Sequence, residues 1–277
     1  MSIDRYIHPL RFYFLSTAIP WACWFAAAYI SHQETRGTYT LLLTSLLGVV
    51  GLAGPMVVAF WMMAADPVLR VDLTTRLFRF QPMRPVYLLI TCLLMLGSIL
   101  LAQAISLLFG HSVDQFRFAG GFSFSAGLLP AWVPLILAPV LEELAWHSYG
   151  TDCLRRRMSL FATSMLFGVF WVLWHVPLSF IRDYYHSNVV ETGWLYGLNF
   201  AVSLFPYVLL MNWLYYKTNR NLYVTIVFHI SAGLFNEMFM THPDSKVIQT
   251  VLLTLLTIWL VMKERRFFFQ RAYTAAD

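Results

Sequence analysis

The feature that most constrains the fold of this chain is a series of long apolar segments. A helix needs about 20 apolar residues to cross the hydrocarbon core of a bilayer. About eight such segments follow one another, over residues 10–30, 41–64, 85–109, 126–150, 160–181, 194–216, 222–240 and 247–263. Because backbone polar groups in lipid must pair within the chain, each segment is expected to be helical. The sequence predicts an all-α, polytopic membrane protein with about eight transmembrane helices.

Composition agrees with this fold class and limits the domain organisation. Hydrophobic residues make up 59% of the chain and charged residues 12%, against about 25% charged in an average soluble domain. No polar stretch is long enough for a soluble domain, so we expect one integral membrane domain over residues 1–277. We expect no cleaved targeting peptide. The three cysteines are far apart and indicate neither a disulfide framework nor a cysteine metal site.

The placement of lysine and arginine predicts the orientation in the membrane. With the amino terminus inside and eight crossings, fifteen cations fall on the cytoplasmic side and four on the other. This asymmetry follows the positive-inside rule and predicts that both termini are cytoplasmic. The excess of lysine and arginine over acidic residues is therefore explained by the topology and by contact with lipid headgroups, and it does not indicate nucleic-acid binding. We expect the cell membrane of a prokaryote, or the endoplasmic reticulum if the source is eukaryotic.

Two segments carry more local signals. Residues 66–84 mix apolar residues with arginines, a pattern typical of a helix that lies on the cytoplasmic headgroups. The second apolar segment contains Gly48, Gly51 and Gly54, small residues that allow close helix packing, followed by Pro55, where we expect a kink.

Two adjacent carboxylates, Glu142 and Glu143, lie in the fourth apolar segment. An ionisable group at the bilayer centre costs roughly 2.5 to 3.5 kcal/mol, and such residues usually face a cavity or a partner. We therefore expect a functional role rather than a structural ion pair. Successive residues differ by about 100° around a helix, so one glutamate is expected to act as a base and the other to be a structural or orienting group.

Other ionisable residues occur in the following segments. From the helical rise, His175 reaches a depth similar to that of Glu142 across the fourth and fifth segments, and tilt can bring His229 close. A carboxylate beside an imidazole can deprotonate a water, and a second histidine can donate to the resulting oxyanion. The cluster predicts hydrolysis in a membrane cavity. As alternatives, His175 is a core histidine bonded to a carbonyl freed by Pro177, and His147 is a satisfied helix-face histidine.

Three sequence motifs resemble those of a known family. Glu142-Glu143-Leu-Ala-Trp-His147, then Trp171-Val-Leu-Trp-His175, then His229, are similar to the motifs of the CAAX protease and bacteriocin-processing (CPBP, or ABI) family of intramembrane endopeptidases, which includes the Ras-converting type. The resemblance covers about residues 126–240. It implies that Glu142 and His175 activate water, that His229 contributes to the oxyanion hole and that Glu143 supports them. It also implies a membrane-associated, lipidated or hydrophobic peptide or protein substrate, and no cofactor.

The chain departs from the family motifs at three positions. His147 replaces an arginine, Trp171 replaces a phenylalanine and Gly233 replaces an asparagine. His147 can supply the positive charge only while it is protonated. Asn236 lies two turns after His229 and is a candidate substitute for the missing amide, although with Glu237 it is close to the helix end and could face water.

Three alternatives remain open at this level. A zinc metalloprotease could use Glu142, His175 and His229 as metal ligands. The motif departures are also consistent with a catalytically impaired relative that acts as a membrane scaffold or regulator. A proton-coupled transporter is the third alternative, but no internal repeat of the kind common in transporters is found.

Overall fold

A computed structural model describes residues 3–34, 37–78 and 82–271 of the chain. The α-helices in these ranges are α1 (Pro9–Ser31), α2 (Thr38–Ala64), α3 (Pro67–Phe78), α4 (Pro85–Ser106), α5 (Trp132–Ala145), α6 (Thr151–Arg155), α7 (Leu160–His175), α8 (Tyr185–Thr192), α9 (Trp194–Lys217), α10 (Leu222–Met238), α11 (Pro243–Lys263) and α12 (Arg265–Phe269). A π-helical turn, Trp146–Gly150, joins α5 to α6. Short 3-10 turns occur at Leu107–Phe109, Val113–Phe116 and Val176–Phe180. The all-α fold class is confirmed.

Within the described ranges, six helical segments are long and apolar enough to cross a membrane. They are α1, α2, α4 with its 3-10 turn, α7 with its 3-10 turn, α9 and α11. The other two predicted segments are also helical, but α10 has only 17 residues and α5 is interrupted after 14 residues by the π-helical turn. The structure is therefore a polytopic membrane protein, while the number of crossings and the cytoplasmic termini stay predictions.

The start of the fourth predicted segment differs from the expectation. Residues 126–131 form a loop, and helix α5 begins only at Trp132. Gly127 has a φ of +65°, in the left-handed region that interrupts a helix. Helix α8, which is mostly polar, was not among the predicted elements.

The helices alternate in direction and leave two different ends. We call the end formed by residues 32–34, 107–131, 181–193 and 239–242 the loop end, and the end formed by residues 3–8, 65–78, 82–84, 152–159, 218–221 and 264–271 the basic end. At the loop end, Ala119 N donates to Met238 O at 2.9 Å and Ser125 N donates to Asp183 O at 2.9 Å. At the basic end, Arg5 pairs with Asp66 at 2.8 Å.

Helices α1 and α2 pack closely through small residues, as predicted. A Cβ added to Gly51 would lie 2.5 Å from Trp24 Nε1, so only glycine fits there. The Trp24 indole donates to Gly48 O at 3.2 Å. This contact fixes the pair of helices that lines one side of the site described below.

Helix α3 confirms a helix in the predicted interfacial segment 66–84, of which residues 79–81 lie outside the described residues. Its buried residues, Leu69, Asp72, Leu73 and Arg76, follow helical spacing and face the bundle. Two of them are charged, and their partners are described below.

Candidate active site

The adjacent glutamates of α5 point to different partners. Glu142 Oε2 accepts a hydrogen bond of 3.1 Å from Trp171 Nε1 on α7. Glu143 is fully buried and binds two histidines, His147 through Oε2 and His229 through Oε1, the latter at 2.9 Å. The prediction that the two carboxylates face different directions agrees with this geometry.

His147 occupies the π-helical turn and is held at both ring nitrogens. Nδ1 donates to Glu143, and Nε2 donates to Asn212 Oδ1 at 2.9 Å. The orientation of the Asn212 amide is fixed because its Nδ2 donates to Ser164 Oγ at 2.8 Å, while that hydroxyl donates to Leu160 O. An imidazole satisfies two acceptors only when it carries both protons. The contacts therefore suit a positively charged His147 at the motif position of the arginine.

A buried ionic cluster at the basic end supports the π-helical turn. A π-helical turn leaves carbonyl groups without their usual partners. Arg76 of α3 donates to two of them, His147 O at 2.9 Å and Ser148 O at 2.7 Å. Tyr215 adds a third bond, to His147 O at 2.6 Å. The backbone that carries His147 is thus fixed by side chains from α3 and α9.

The charges of this cluster balance. Arg76 contacts Asp72 at 3.1 Å and Asp152 at 3.5 Å. Arg220, in the turn between α9 and α10, contacts Asp72 at 2.8 Å and also binds Asp152. Two guanidinium groups therefore face two carboxylates. A buried charge of this kind is tolerated only when its partners are present.

His175 ends α7 with its ring tautomer defined by the backbone. Nδ1 donates to Trp171 O at 2.7 Å, which leaves Nε2 as the nitrogen with a free lone pair. One alternative from the sequence was that His175 bonds a carbonyl left unpaired by Pro177. Proline lacks the N–H that would pair with the carbonyl of Leu173, four residues earlier. Because His175 donates to Trp171 O instead, this alternative is not found. The ring of His186 from α8 stacks on His175, with centroids 4.9 Å apart.

These groups line one cavity of about 680 Å³. Glu142, Trp171, His175 and His229 contribute to its wall, and Gly233 of α10 lies on the same wall. The cavity continues to the loop end, where residues 123–127 and 181–186 also line it. Glu143 and His147 are absent from the described lining and lie behind it, fully buried. The geometry separates residues that can touch a substrate from residues that position them.

Asn236 lies at the outer part of the cavity. Its Nδ2 donates to Tyr185 OH at 3.1 Å and to Glu237 Oε1 at 3.2 Å. Both amide protons therefore have acceptors, which weakens Asn236 as a substitute oxyanion donor. The roles of the predicted site residues stay predictions.

Two cavity residues were not found by sequence reasoning. His186 lines the cavity, and its Nδ1 is buried without a hydrogen-bond partner among the described residues. The Tyr207 hydroxyl of α9 is likewise buried and without a described partner, and the Tyr207 ring lies edge-on to His229 at 5.8 Å. The polar run Asp-Tyr-Tyr-His soon after His175 was a usable signal for His186, whereas Tyr207 is one aromatic residue in an apolar helix.

Among the residues that the structure describes, one group of three has metal-ligand atoms within 4.8 Å of one another: His111, His242 and Asp244. It lies at the loop end. Glu142, His175 and His229 do not form such a group in the described chain.

Comparisons with known proteins identify the family. Residues 123–235 match the family described as type II CAAX prenyl endopeptidase Rce1-like. The chain is 34% identical over 273 residues to CAAX prenyl protease 2 of Methanococcus maripaludis, a match that covers 97% of this chain and 99% of the relative. The chain therefore belongs to the Rce1-like family of CAAX prenyl endopeptidases and is a membrane peptidase.

Proposed function

We propose that the chain is a glutamate-dependent endopeptidase that cleaves a lipidated or otherwise hydrophobic peptide within the membrane. The observation that carries this proposal is the divergence of the two glutamates. Glu142 lines the cavity together with His175 and His229, whereas Glu143 lies behind the cavity wall and binds His147 and the Nδ1 side of His229.

In the proposed reaction, Glu142 takes one proton of a water that His175 Nε2 orients by accepting a hydrogen bond from it, and the oxygen of this water attacks the scissile carbonyl. The C–O bond forms, the carbonyl electrons move to the oxygen, and the oxyanion accepts a hydrogen bond from His229. The C–N bond then breaks, and the proton held by Glu142 passes to the leaving amine.

Glu143 has a positioning role in this scheme. His229 Nδ1 donates to Glu143, so a donor toward the oxyanion must be Nε2. The ring then carries both protons, and the buried carboxylate of Glu143 compensates the positive charge. His147 in turn holds Glu143 in place.

The size and polarity of the cavity support an extended apolar substrate. Its wall includes Trp24, Trp174 and Leu253 beside the polar groups, and about 680 Å³ exceeds the space that one water and one peptide group need. The relative from Methanococcus maripaludis is named a prenyl protease. We infer that this chain takes a prenylated protein or peptide in the membrane.

The test uses wild type and Glu142→Gln in lipid vesicles with a farnesylated peptide that ends in a CAAX sequence. We expect release of the terminal tripeptide by wild type and a loss of at least about 10²-fold with Glu142→Gln, since a general base contributes 10² to 10⁴. Glu264→Gln, which changes a carboxylate at the basic end, is the matched control. Cleavage by Glu142→Gln at the wild-type rate would contradict the proposal.

The zinc alternative uses the same three side chains, Glu142, His175 and His229, and is tested in a separate experiment. Metal content of chelator-free protein is measured for wild type and His175→Ala. Stoichiometric zinc that is lost in His175→Ala, together with loss of cleavage on chelation, would favour the metalloprotease instead.

A further inference from the structure

Two histidines and an aspartate meet at the loop end, apart from the candidate active site. His111 follows the 3-10 turn that ends α4, His242 directly precedes α11, and Asp244 lies in the first turn of α11. His111 Nε2 is 3.3 Å from Asp244 Oδ2, and His242 Nδ1 is 3.5 Å from the same oxygen. The two imidazole rings face each other with their centroids 4.2 Å apart. Segments that are distant in the sequence thus bring three metal-ligating side chains together.

The spacing of the donor atoms is that of a metal site. Zinc binds histidine nitrogen at about 2.0–2.1 Å and carboxylate oxygen at about 2.0–2.2 Å, and in a tetrahedron these lengths place two donors about 3.3 Å apart. The two distances to Asp244 Oδ2 agree with this value. The donor atoms of all three residues lie within 4.8 Å of one another. Because His242 is exposed, its ring can turn to close the remaining gap.

The backbone holds the two ligand-bearing segments together without an ion. Gly110, with a φ of +86°, reverses the chain after α4 and directs His111 toward α11. Gln115 Oε1 accepts a hydrogen bond of 2.6 Å from Ser245 Oγ, and Gln103 Nε2 donates to Thr241 Oγ1 at 2.7 Å. The first of these contacts is buried and the second is part-buried. The end of α4 and the start of α11 are therefore already joined where the histidines meet.

A tyrosine from a third helix orients the aspartate. Asp244 Oδ1 accepts a hydrogen bond of 2.8 Å from the Tyr196 hydroxyl of α9. This contact leaves Oδ2 directed at both histidines. Metal-ligating carboxylates are usually held in this way by a hydrogen bond from an outer partner. Tyr196 therefore has the position of a residue that orients a ligand.

The state of one histidine also suits a metal ion. His242 Nδ1 accepts a hydrogen bond of 3.2 Å from Asp244 N, so this nitrogen carries a lone pair rather than a proton. Imidazole binds metal ions in that state. An ion takes the place of the backbone N–H as the partner of Nδ1. Two imidazoles with one carboxylate favour zinc and the neighbouring transition metals over magnesium and calcium.

We propose that His111, His242 and Asp244 form a binding site for a divalent transition-metal ion of the zinc type. The bound ion joins the end of α4 to the start of α11 and, through Tyr196, to α9. Tyr196 also lines the active-site cavity, as do Thr241 and Pro243. The ion therefore stiffens this side of the cavity wall. The inference does not rest on the function proposed above.

Zinc titration of the chelator-treated full chain in detergent tests the site. We expect wild type to bind zinc at this site, and His111→Ala to bind it more than about 100-fold more weakly, because outer partners alone are worth about 10- to 100-fold. Tyr196→Phe, which keeps all three ligands, is expected to weaken binding by about 10- to 100-fold. His8→Ala removes an exposed histidine of the basic end, and Tyr223→Phe removes a hydroxyl that donates to Leu77 O there. Both controls are expected to bind zinc as wild type does.

A further variant separates this site from the zinc alternative for the active site. His175→Ala is expected to keep the zinc that His111→Ala loses. Zinc that is lost in His175→Ala and kept in His111→Ala would overturn the inference. Equal binding by wild type and His111→Ala, or no saturable binding by wild type, would also overturn it.

Hydrogen exchange of the wild-type protein tests the site without any substitution. An ion that joins two segments suppresses their local opening. Zinc is therefore expected to slow amide exchange in residues 107–112 and 241–246 and to leave residues 146–155 unchanged. Exchange that zinc does not slow in either of the first two segments would contradict the proposal, even if zinc binds elsewhere.

Discussion

At the scale of single residues, two identical neighbours in the site have different surroundings. Glu142 receives one indole N–H and lines the cavity, whereas Glu143 is enclosed between two histidines. The separation of about 100° per residue on a helix is enough to turn one carboxylate toward a substrate and the other away from it. The two carboxylates therefore have different hydrogen-bond partners.

The hydrogen bond from Trp171 to Glu142 can be tested by substitution of Trp171. The family motif has a phenylalanine at this position, and phenylalanine cannot donate to Glu142. A hydrogen bond to a charged group is worth about 1.5 to 3 kcal/mol, so Trp171→Phe is expected to lower kcat/KM about tenfold to hundredfold with the same substrate. Trp213→Phe is the matched control, because it removes an indole bond of 3.2 Å to Glu264 at the basic end. Equal effects of both variants would show that only packing is lost.

A substitution at Gly233 is expected to raise activity, in contrast to Trp171→Phe. An asparagine there would restore the donor of the family motif, and a Cβ at Gly233 meets only Leu135 Cδ1 at 3.2 Å, which a small side-chain shift relieves. One oxyanion donor is worth about 10² to 10³ in rate, so Gly233→Asn is expected to raise kcat by about tenfold or more, with less change in KM. Ala232→Asn, one position away on α10, is the control. No gain in kcat would mean that the site already has its donors.

At the scale of elements, the connection between α3 and the active site is the main finding. Arg76 binds the carbonyls of the π-helical turn, this turn carries His147, and His147 binds Glu143, which binds His229. A short helix at the basic end thus positions the buried histidine of the π-helical turn. Lysine could not replace Arg76, because one ammonium group lacks the planar fork that reaches both carbonyls.

The pH dependence of this connection follows from Asp72. Burial raises the pKa of Asp72, but Arg76 and Arg220 lower it more, so that the pKa lies below its ordinary value. A carboxyl group with a depressed folded-state pKa stabilises the fold above the pKa of the unfolded state, about 3.9, and this stability is lost as the pH falls through the folded-state pKa.

Asp72→Asn is therefore expected to lower the free energy of unfolding by about 3 to 5 kcal/mol near neutral pH, since it leaves a buried guanidinium with fewer partners. The difference from wild type should stay constant down to about pH 5 and shrink below about pH 4. Thermal unfolding in detergent across this pH range measures it. A difference that does not change with pH would show that Asp72 is not ionised in the folded protein.

Sequence reasoning predicted most elements but not this connection. Apolar length and arginine placement predicted the helices and the interfacial segment that contains α3, because both signals are local. The π-helical turn and the pairing of Arg76 with the carbonyls of residues 147 and 148 depend on contacts between residues more than 70 positions apart. The apolar run 126–131 was predicted to be helical, since hydrophobicity alone does not register the left-handed backbone at Gly127.

At the scale of the whole molecule, the basic end of the bundle contains the buried ionic cluster, whereas the cavity continues to the loop end. Helix depth predicted that Glu142 and His175 meet, while His229 was expected to be shallower unless tilt and loop depth closed the gap. All three line the same cavity. The direction of the cavity could not be read from those residues, because it depends on how the loops between distant helices surround its mouth. The placement of lysine and arginine predicts which end of the bundle is cytoplasmic. Only the fold shows that the cavity continues to the loop end.

The two ends are expected to differ in hydrogen exchange. Backbone bonds that are buried under a paired ionic cluster open only with large parts of the fold, whereas exposed loop bonds open locally. Residues 146–155 lie under the cluster, while residues 118–131 hold the mouth through part-exposed contacts such as Ser123 N to Glu237 at 2.8 Å. In lipid nanodiscs, we expect amides of 118–131 to exchange faster than those of 146–155. Asp72→Asn should accelerate exchange in 146–155 and leave 118–131 unchanged, because it weakens only the basic end. Equal acceleration in both segments would show that the bundle opens as one unit.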